Sequence, residues 1–108
     1  MTLGAQLDAL SQTIAAKANA DPASSYTAQL LHAGIAKCAK KLGEEAVETA
    51  IAAVQGDTTA IAAEAADVLY HLLVMLEACN VSPEAVATAL AAREGRSGLA
   101  EKASRPKD

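Results

Sequence analysis

Residues 35–79 read IAKCAKKLGEEAVETAIAAVQGDTTAIAAEAADVLYHLLVMLEAC, and this stretch decides the fold. Apolar residues recur at helical spacing over Ile35–Gln55 and again over Thr58–Cys79. Between the two runs, Gly56 suits the left-handed end of the first helix, and one of the two residues after it, Asp57 or Thr58, caps the second. The stretch therefore predicts a long antiparallel hairpin of two helices.

Alanine dominates the composition. Of the 108 residues, 28 are alanine, and only Tyr26 and Tyr70 are aromatic. Alanine favours helix, and β-branched and aromatic residues are too few for an all-β fold. Small side chains bury little area each, at about 25 cal/mol per Å². We therefore expect an all-α chain whose helical hairpin is completed by dimerisation into a bundle.

Shorter helices are predicted on both sides of the hairpin. Apolar spacing and capping residues place them over Thr2–Ala18, from Ser24 or Ser25 to about Gly34, and from Ser82-Pro83-Glu84 to about Arg93. Residues 1–94 are predicted to form a single all-α domain. The basic segment 95–108, with its Gly, Ser and Pro residues, is predicted to be a weakly ordered tail.

Several classes of protein are disfavoured. Two cysteines are too few for a disulfide scaffold and lack the clustered partners of a zinc site, so Cys38 and Cys79 are expected to be small core residues. No apolar run approaches the ~18 residues of a membrane span, and Met1–Leu10 has no signal-peptide profile. The net charge of −4 and the scarcity of aromatic residues disfavour nucleic-acid binding. We expect a cytoplasmic protein that binds neither nucleic acid nor membranes.

Charge is concentrated in the hairpin. From Leu42 to Ala92 there are eight acidic residues and no Lys or Arg, whereas the flanks are basic. This distribution suits a divalent cation together with an anionic ligand. The sequence has no glycine-rich phosphate loop, so a phosphate would have to be held by the metal and by basic side chains.

Two acidic pairs lie in register across the turn. Glu45 and Asp67 are each 11 residues from Gly56, and Glu48 and Glu64 are each eight residues from it. Residues three apart share a helix face, so the four carboxylates should face one another and repel unless a cation joins them. Such oxygen ligands suit Mg²⁺ or Mn²⁺. Either pair alone is typical of a solvated helix surface, but the two pairs in register favour a metal site.

Two residues beside these pairs have open roles. His71 follows Asp67 by four residues. It is either a half-buried histidine bonded to a helix neighbour, a metal ligand, or a group that orients Asp67 or contacts substrate. Glu44 lies about 100° from Glu45 around the helix. It is either a solvated neighbour, a supporting group for the metal site, or the base that takes a proton from water.

The hairpin motifs closely resemble the phosphoribosyl-ATP pyrophosphohydrolase family. The strings that carry the resemblance are Lys40-Lys-Leu-Gly-Glu-Glu-Ala-Val-Glu48 and Glu64-Ala-Ala-Asp-Val-Leu-Tyr-His-Leu-Leu-Val74. Ser25-Tyr26-Thr27 and residues 82–93 are also similar, so that the likeness extends over about Leu7–Arg93. The paired acidic motifs alone mark the wider all-α nucleotide pyrophosphohydrolase superfamily.

The resemblance implies a reaction and a set of site residues. The reaction is Mg²⁺-dependent hydrolysis of phosphoribosyl-ATP to phosphoribosyl-AMP and pyrophosphate, the second step of histidine biosynthesis, carried out by a homodimer without a fused cyclohydrolase. For this reaction the paired carboxylates Glu45, Glu48, Glu64 and Asp67 would be the metal ligands, and Glu44 would be either a supporting group or the catalytic base. The candidate substrate-binding residues are Lys40, Lys41 and Arg93 as phosphate clamps, Ser25, Tyr26 and Thr27 as a segment that closes over the substrate, and His71.

Two alternatives remain at this point. One is a deoxynucleoside triphosphate pyrophosphohydrolase of the same superfamily, against which the Tyr70-His71 pair and the Ser25–Thr27 segment argue. The other is a non-catalytic helical interaction module whose acidic residues are merely solvated.

Overall fold

The computed structural model describes residues 1–95 and 98–106, and within them the chain forms helices and no strands. The helices are α1 (Leu3–Ala16), α2 (Tyr26–Ala33), α3 (Ile35–Gln55), α4 (Thr58–Ala78), α5 (Pro83–Arg93) and α6 (Gly98–Ser104). The all-α prediction is confirmed. The predicted helices that correspond to α1–α5 are confirmed to within two residues at each end.

The hairpin of α3 and α4 forms as predicted. Gly56 ends α3 with φ 76° and ψ 15°, and its N–H donates to the carbonyls of Ala52 and Ala53. The Asp57 carboxylate then accepts a hydrogen bond of 3.1 Å from the Ala60 N–H at the start of α4. A left-handed glycine and a side-chain cap thus reverse the chain within two residues.

Helix α2 packs on both arms of the hairpin, and α1 packs on α4. The Ser25 hydroxyl caps α2 by accepting from the Ala28 N–H at 3.1 Å. A single residue, Gly34, both ends α2 and precedes α3, with φ 101° and ψ 176°. This backbone conformation is essentially restricted to glycine, so it fixes how α2 meets α3.

A small core lies where these four helices meet. Its buried members are Ile14, Leu30, Cys38 and Val74. The Cys38 thiol donates to the Leu30 carbonyl at 3.3 Å, so the prediction that Cys38 belongs to the core is confirmed. The same prediction for Cys79 is wrong, because Cys79 is the exposed cap residue at which the chain leaves α4.

Apolar surface remains open on the single chain. Along α3, Val47, Ile51 and Val54 are 60%, 51% and 90% exposed. A second apolar surface is a groove of about 300 Å³ between α1, α4 and α5, lined in part by Leu69 and Leu73. Helix α5 is exposed along its length except at Val86, which is half-buried.

Helix α4 is long and apolar enough, by length and composition alone, to cross a membrane. It also carries Glu64 and Asp67 and packs along its length on α3, as a core helix of a bundle does. The absence of a membrane span therefore stays a prediction.

The C-terminal segment contains a helix, α6, that is not predicted from the sequence. Four residues of the predicted tail lie outside the described residues: Arg96, Ser97, Lys107 and Asp108. The division of the chain at residue 94 and the weak order of the tail stay predictions.

Candidate functional site

Three carboxylates meet halfway along the hairpin. Glu45 and Glu48 project from α3 and Glu64 from α4, and one oxygen from each lies within 4.8 Å of the others. The spacing of three residues puts the first two on one face of α3. The turn at Gly56 sets the register that brings Glu64 opposite them. The structure thus brings together three of the four predicted metal ligands.

The fourth, Asp67, lies beside this group. Its carboxylate is exposed, and it does not belong to the set of oxygens within 4.8 Å. It is still close enough for its negative charge to raise the pKa of both Glu45 and Glu64. Matched distance from the turn correctly predicted that Asp67 lies near the group, but not that its carboxylate lies outside the set of three.

The local electrostatics disfavour full ionisation of the cluster. Burial, followed by a hydrogen bond and charge from Glu48, raises the pKa of Glu45. Burial and then the charges of Glu48 and Asp67 raise the pKa of Glu64. The Oε2 atom of Glu64 is buried and has no hydrogen-bond partner. A buried carboxylate oxygen without a partner, next to like charges, is the environment that a bound cation would satisfy.

Glu44 and Lys41 border the cluster on the outer side of α3. The Lys41 Nζ lies 3.6 Å from the Glu44 Oε1, one helical turn along. Both residues, with Gly43, Val47 and Glu48, line an open depression beside the carboxylates. The Tyr26 phenol and then the Glu44 carboxylate favour the charged form of Lys41 and raise its pKa. A cation and an additional carboxylate therefore flank the place where a phosphate chain would approach the cluster.

An aromatic group ties α2 to α4 next to this site. The rings of Tyr26 and Tyr70 are stacked, with centroids 6.5 Å apart and planes 17° from parallel. His71 meets both edge-on, at 6.3 Å from Tyr26 and 5.0 Å from Tyr70. Tyr70 and Thr27 share a hydrogen bond of 2.5 Å between their hydroxyls. The predicted segment Ser25–Thr27 is thus held against α4.

Burial shifts the pKa values of Tyr70 and His71, the two ring residues of α4, in the direction that favours their neutral forms. Burial lowers the pKa of His71, and the Lys41 charge lowers it further. His71 is only 6% exposed, so it is buried rather than half-buried as predicted, and its role toward substrate stays a prediction. Burial likewise raises the pKa of Tyr70, against the opposing effect of its hydrogen bond with Thr27.

The remaining predicted substrate residues belong neither to the cluster nor to the lining of the depression beside it. Lys40 is exposed on α3 and is turned about 100° from Lys41. Arg93 is the last residue of α5 and is also exposed. Ser25 is engaged as the cap of α2, a structural role that its motif position alone did not reveal.

A second depression, of about 350 Å³, was not predicted. It lies between α2 and the start of α3 and is lined by Tyr26, Gln29, Leu30, Ala33, Lys37 and Lys41. The available signal was the spacing of Lys37 and Lys41, which lie four residues apart on one face of α3. The packing of α2 across that face could not be derived from spacing.

Comparisons with known proteins agree with this geometry. The profile of the family described as phosphoribosyl-ATP pyrophosphohydrolase matches residues 7–94. A protein named phosphoribosyl-ATP pyrophosphatase from Parvibaculum lavamentivorans is 58% identical over 93% of this chain and 92% of its own length. Proteins of the same name from Roseobacter denitrificans and Methylobacterium radiotolerans are each 60% identical, over 92% and 89% of this chain and 94% and 90% of their own.

Proposed function

Because the chain belongs to the phosphoribosyl-ATP pyrophosphohydrolase family, we propose that it hydrolyses phosphoribosyl-ATP to phosphoribosyl-AMP and pyrophosphate, the second step of histidine biosynthesis. The observation that carries the proposal is the carboxylate group formed by Glu45, Glu48 and Glu64. The group lies within the matched region, and its member Glu48 lines an open depression that could admit a phosphate chain. Since the substrate is a nucleotide, we place the reaction in the cytoplasm.

The residues of the cluster fit a divalent cation, and we propose Mg²⁺. Three carboxylates supply hard oxygen ligands. The buried Oε2 atom of Glu64 has no hydrogen-bond donor, and a bound cation would take the place of one. Glu45, Glu48 and Glu64 would hold the ion, with Asp67 at the edge of the group as a fourth ligand. Mg²⁺ bound there supplies positive charge that offsets the charge of the phosphate oxygens and of the leaving pyrophosphate.

The chain's own groups position the reactants and move the proton. Water forms a bond to the α-phosphorus, the bond from that phosphorus to the oxygen bridging to the β-phosphate breaks, and pyrophosphate leaves with the electron pair. We assign Glu44 as the base that takes the proton of the attacking water, because its carboxylate lines the depression beside Glu48. We propose that Lys41, which pairs with Glu44, contacts the phosphate chain. Phosphate contacts by Lys40 and Arg93 stay predictions.

The active form is proposed to be a homodimer. Val47, Ile51 and Val54 form an exposed apolar stripe on α3, and the groove beside α5 is lined by further apolar residues. Because an alanine-rich core buries little area per residue, covering these surfaces with a second copy would add the burial that the single chain lacks.

The direct test is pyrophosphate release from phosphoribosyl-ATP by the full chain, with and without Mg²⁺. Release that requires Mg²⁺ is the expected result. Faster release from deoxynucleoside triphosphates in a substrate panel would favour the alternative pyrophosphohydrolase. Calorimetry that detects no Mg²⁺ binding, together with no release from any nucleotide, would favour the interaction module.

A further inference from the structure

The second depression shares a wall with the carboxylate site. Lys41 lines both depressions, so a ligand can pass from one to the other along the same face of α3. The volume of about 350 Å³ lies within the range of about 300–1,000 Å³ typical of small-molecule sites. The catalytic scheme above uses Lys41 from its walls but assigns nothing to Tyr26, Gln29 or Lys37.

The chemistry of the depression is that of a sugar phosphate site. Tyr26 is 51% exposed, and its ring is stacked on that of Tyr70. The Gln29 amide offers both a donor and an acceptor. Lys37 adds an ammonium to that of Lys41 one turn away. Together they present an apolar face, a neutral polar group and two cations, which match a sugar or base, its hydroxyls and a phosphate.

Lys37 is poorly explained as a stabilising residue. It lies in the first turn of α3, where the helix dipole disfavours a positive charge. Among the residues that the structure describes, no carboxylate lies within ion-pairing distance of its ammonium. The ammonium of Lys37 is therefore available to pair with an anionic ligand.

Lys37 lies more than two helical turns before Glu45 on α3, so a ligand that contacts both ends would carry a separate anionic group for each. Lys37 precedes Glu45 by eight residues, about 12 Å along the helix axis at 1.5 Å per residue. In phosphoribosyl-ATP, two sugars and a purine separate the triphosphate from the second phosphate, a monoester at the end of the phosphoribosyl group. Triphosphates without that group have no phosphate at this distance.

We propose that the depression formed by Tyr26, Gln29, Lys37 and Lys41 is the subsite for the phosphoribosyl end of the substrate, and that Lys37 is a specificity-determining residue which binds its phosphate monoester. The inference rests on the proposed function. Tyr26 packs against the sugar or base, Gln29 bonds to its polar edge, and Lys41 contacts the phosphate chain closer to the carboxylates. The subsite distinguishes this substrate from ordinary nucleotides by binding the phosphate group that they lack.

Paired ligands test the assignment without relying on turnover. Phosphoribosyl-AMP carries the phosphoribosyl group and AMP does not, so the ratio of their dissociation constants isolates its contribution. Both are titrated with Mg²⁺ into the full chain, followed by calorimetry and by the backbone amide signals of Gln29 and Lys37. The variants are Lys37→Met, which keeps the apolar stem, and Lys37→Arg, which keeps the charge. Lys17→Met, at the exposed end of α1, is the matched control.

We expect the parent chain to bind phosphoribosyl-AMP at least tenfold more tightly than AMP, with shifts at the two amides only for the former. Lys37→Met should lose most of that preference, about tenfold, with unchanged AMP binding, because a charge-assisted hydrogen bond is lost. Lys37→Arg should retain most of it, and Lys17→Met all of it. With phosphoribosyl-ATP, Lys37→Met should raise KM with little change in kcat.

Three results would each overturn the proposal. Lys37→Met could weaken the binding of both ligands equally, or it could weaken the binding of neither. The parent chain could also bind phosphoribosyl-AMP no more tightly than AMP. Failure of the proposed function is a separate result. If phosphoribosyl-ATP releases no pyrophosphate while phosphoribosyl-AMP still binds through Lys37, the subsite stands and the reaction does not.

Discussion

Replacing Glu64 by glutamine should distinguish the stability that bound metal adds from the stability of the metal-free chain. The change keeps the shape of the side chain but removes one of three carboxylates with oxygens within 4.8 Å of one another. It also gives the buried Oε2 position, which has no partner in the parent chain, an amide that can donate to Glu45 or Glu48. Without metal, the Glu64→Gln variant should therefore be at least as stable as the parent chain.

The expected effect of Mg²⁺ on the parent chain is large. At about 100 times Kd, binding to the folded state alone adds about 2.7 kcal/mol to the free energy of unfolding. An unfolding entropy of about 2.1 cal/mol/K per residue gives about 0.23 kcal/mol/K for 108 residues, so Tm should rise by about 12 °C. If losing one ligand weakens Kd about 100-fold, the same Mg²⁺ adds about 0.4 kcal/mol, or about 2 °C.

Two contributions to the stability of the folded chain should change with pH in opposite directions, that of the clustered carboxylates alone and that of bound Mg²⁺. The raised pKa values of Glu45 and Glu64 mean that the folded chain retains protons which the unfolded chain has released. These groups therefore contribute stability that is fully present at low pH and is lost as pH rises through the folded pKa values. Mg²⁺ needs the ionised carboxylates, so its stabilisation should grow over the same interval.

Thermal melts followed by circular dichroism at a fixed protein concentration provide the assay. The parent chain, Glu64→Gln and the control Glu77→Gln, which changes a carboxylate of α4 outside the cluster, are melted at pH 5 and pH 8. MgCl₂ is compared with NaCl at equal ionic strength. Equal shifts with the two salts, or a full Mg²⁺ shift in Glu64→Gln, would refute the reasoning and reduce the cluster to a solvated acidic face.

Three further predictions concern turnover, the aromatic tie and assembly. Glu48→Gln and Asp67→Asn should nearly abolish pyrophosphate release while circular dichroism shows an intact fold, and near-normal turnover at limiting Mg²⁺ would show that the metal ligands are misassigned. Tyr70→Phe keeps the ring but removes the hydrogen bond with Thr27, so denaturant unfolding should show a loss of about 1 kcal/mol; an unchanged midpoint would mean that this bond does not hold α2. Light scattering should show that the parent chain is a dimer at micromolar concentration. The Ile51→Glu variant should dissociate more readily. A stable, folded monomer of the parent chain would exclude the dimer.

The elements that sequence predicts well are those that neighbouring residues determine. The hairpin follows from Gly56 and Asp57, whose conformational preferences end one helix and cap the next. The register of Glu48 and Glu64 then follows because both helices are regular from the turn outward. Ser82 at the cap similarly predicts the start of α5.

What the sequence does not predict depends on contacts between distant segments. The second depression exists only because α2 packs across the start of α3, and nothing local to Lys37 specifies that packing. Cysteine is a residue type that is commonly buried. Cys79 is nevertheless exposed, because it lies where the chain leaves α4. Similarly, the register places Asp67 opposite Glu45, but its carboxylate lies outside the group of three, which depends on the side-chain conformations and not on the register.

Helix α2 is anchored at both of its ends, by the hydroxyl contact of Thr27 with Tyr70 and by the single glycine that joins it to α3. A methyl group added at Gly34 would meet no atom within 4 Å, so only the backbone angle, and not crowding, demands glycine there. The wall that carries Tyr26 and Gln29 is therefore preorganised, and a ligand need not order it on binding. Affinity at this surface should reflect contacts rather than the entropy of closing a loop.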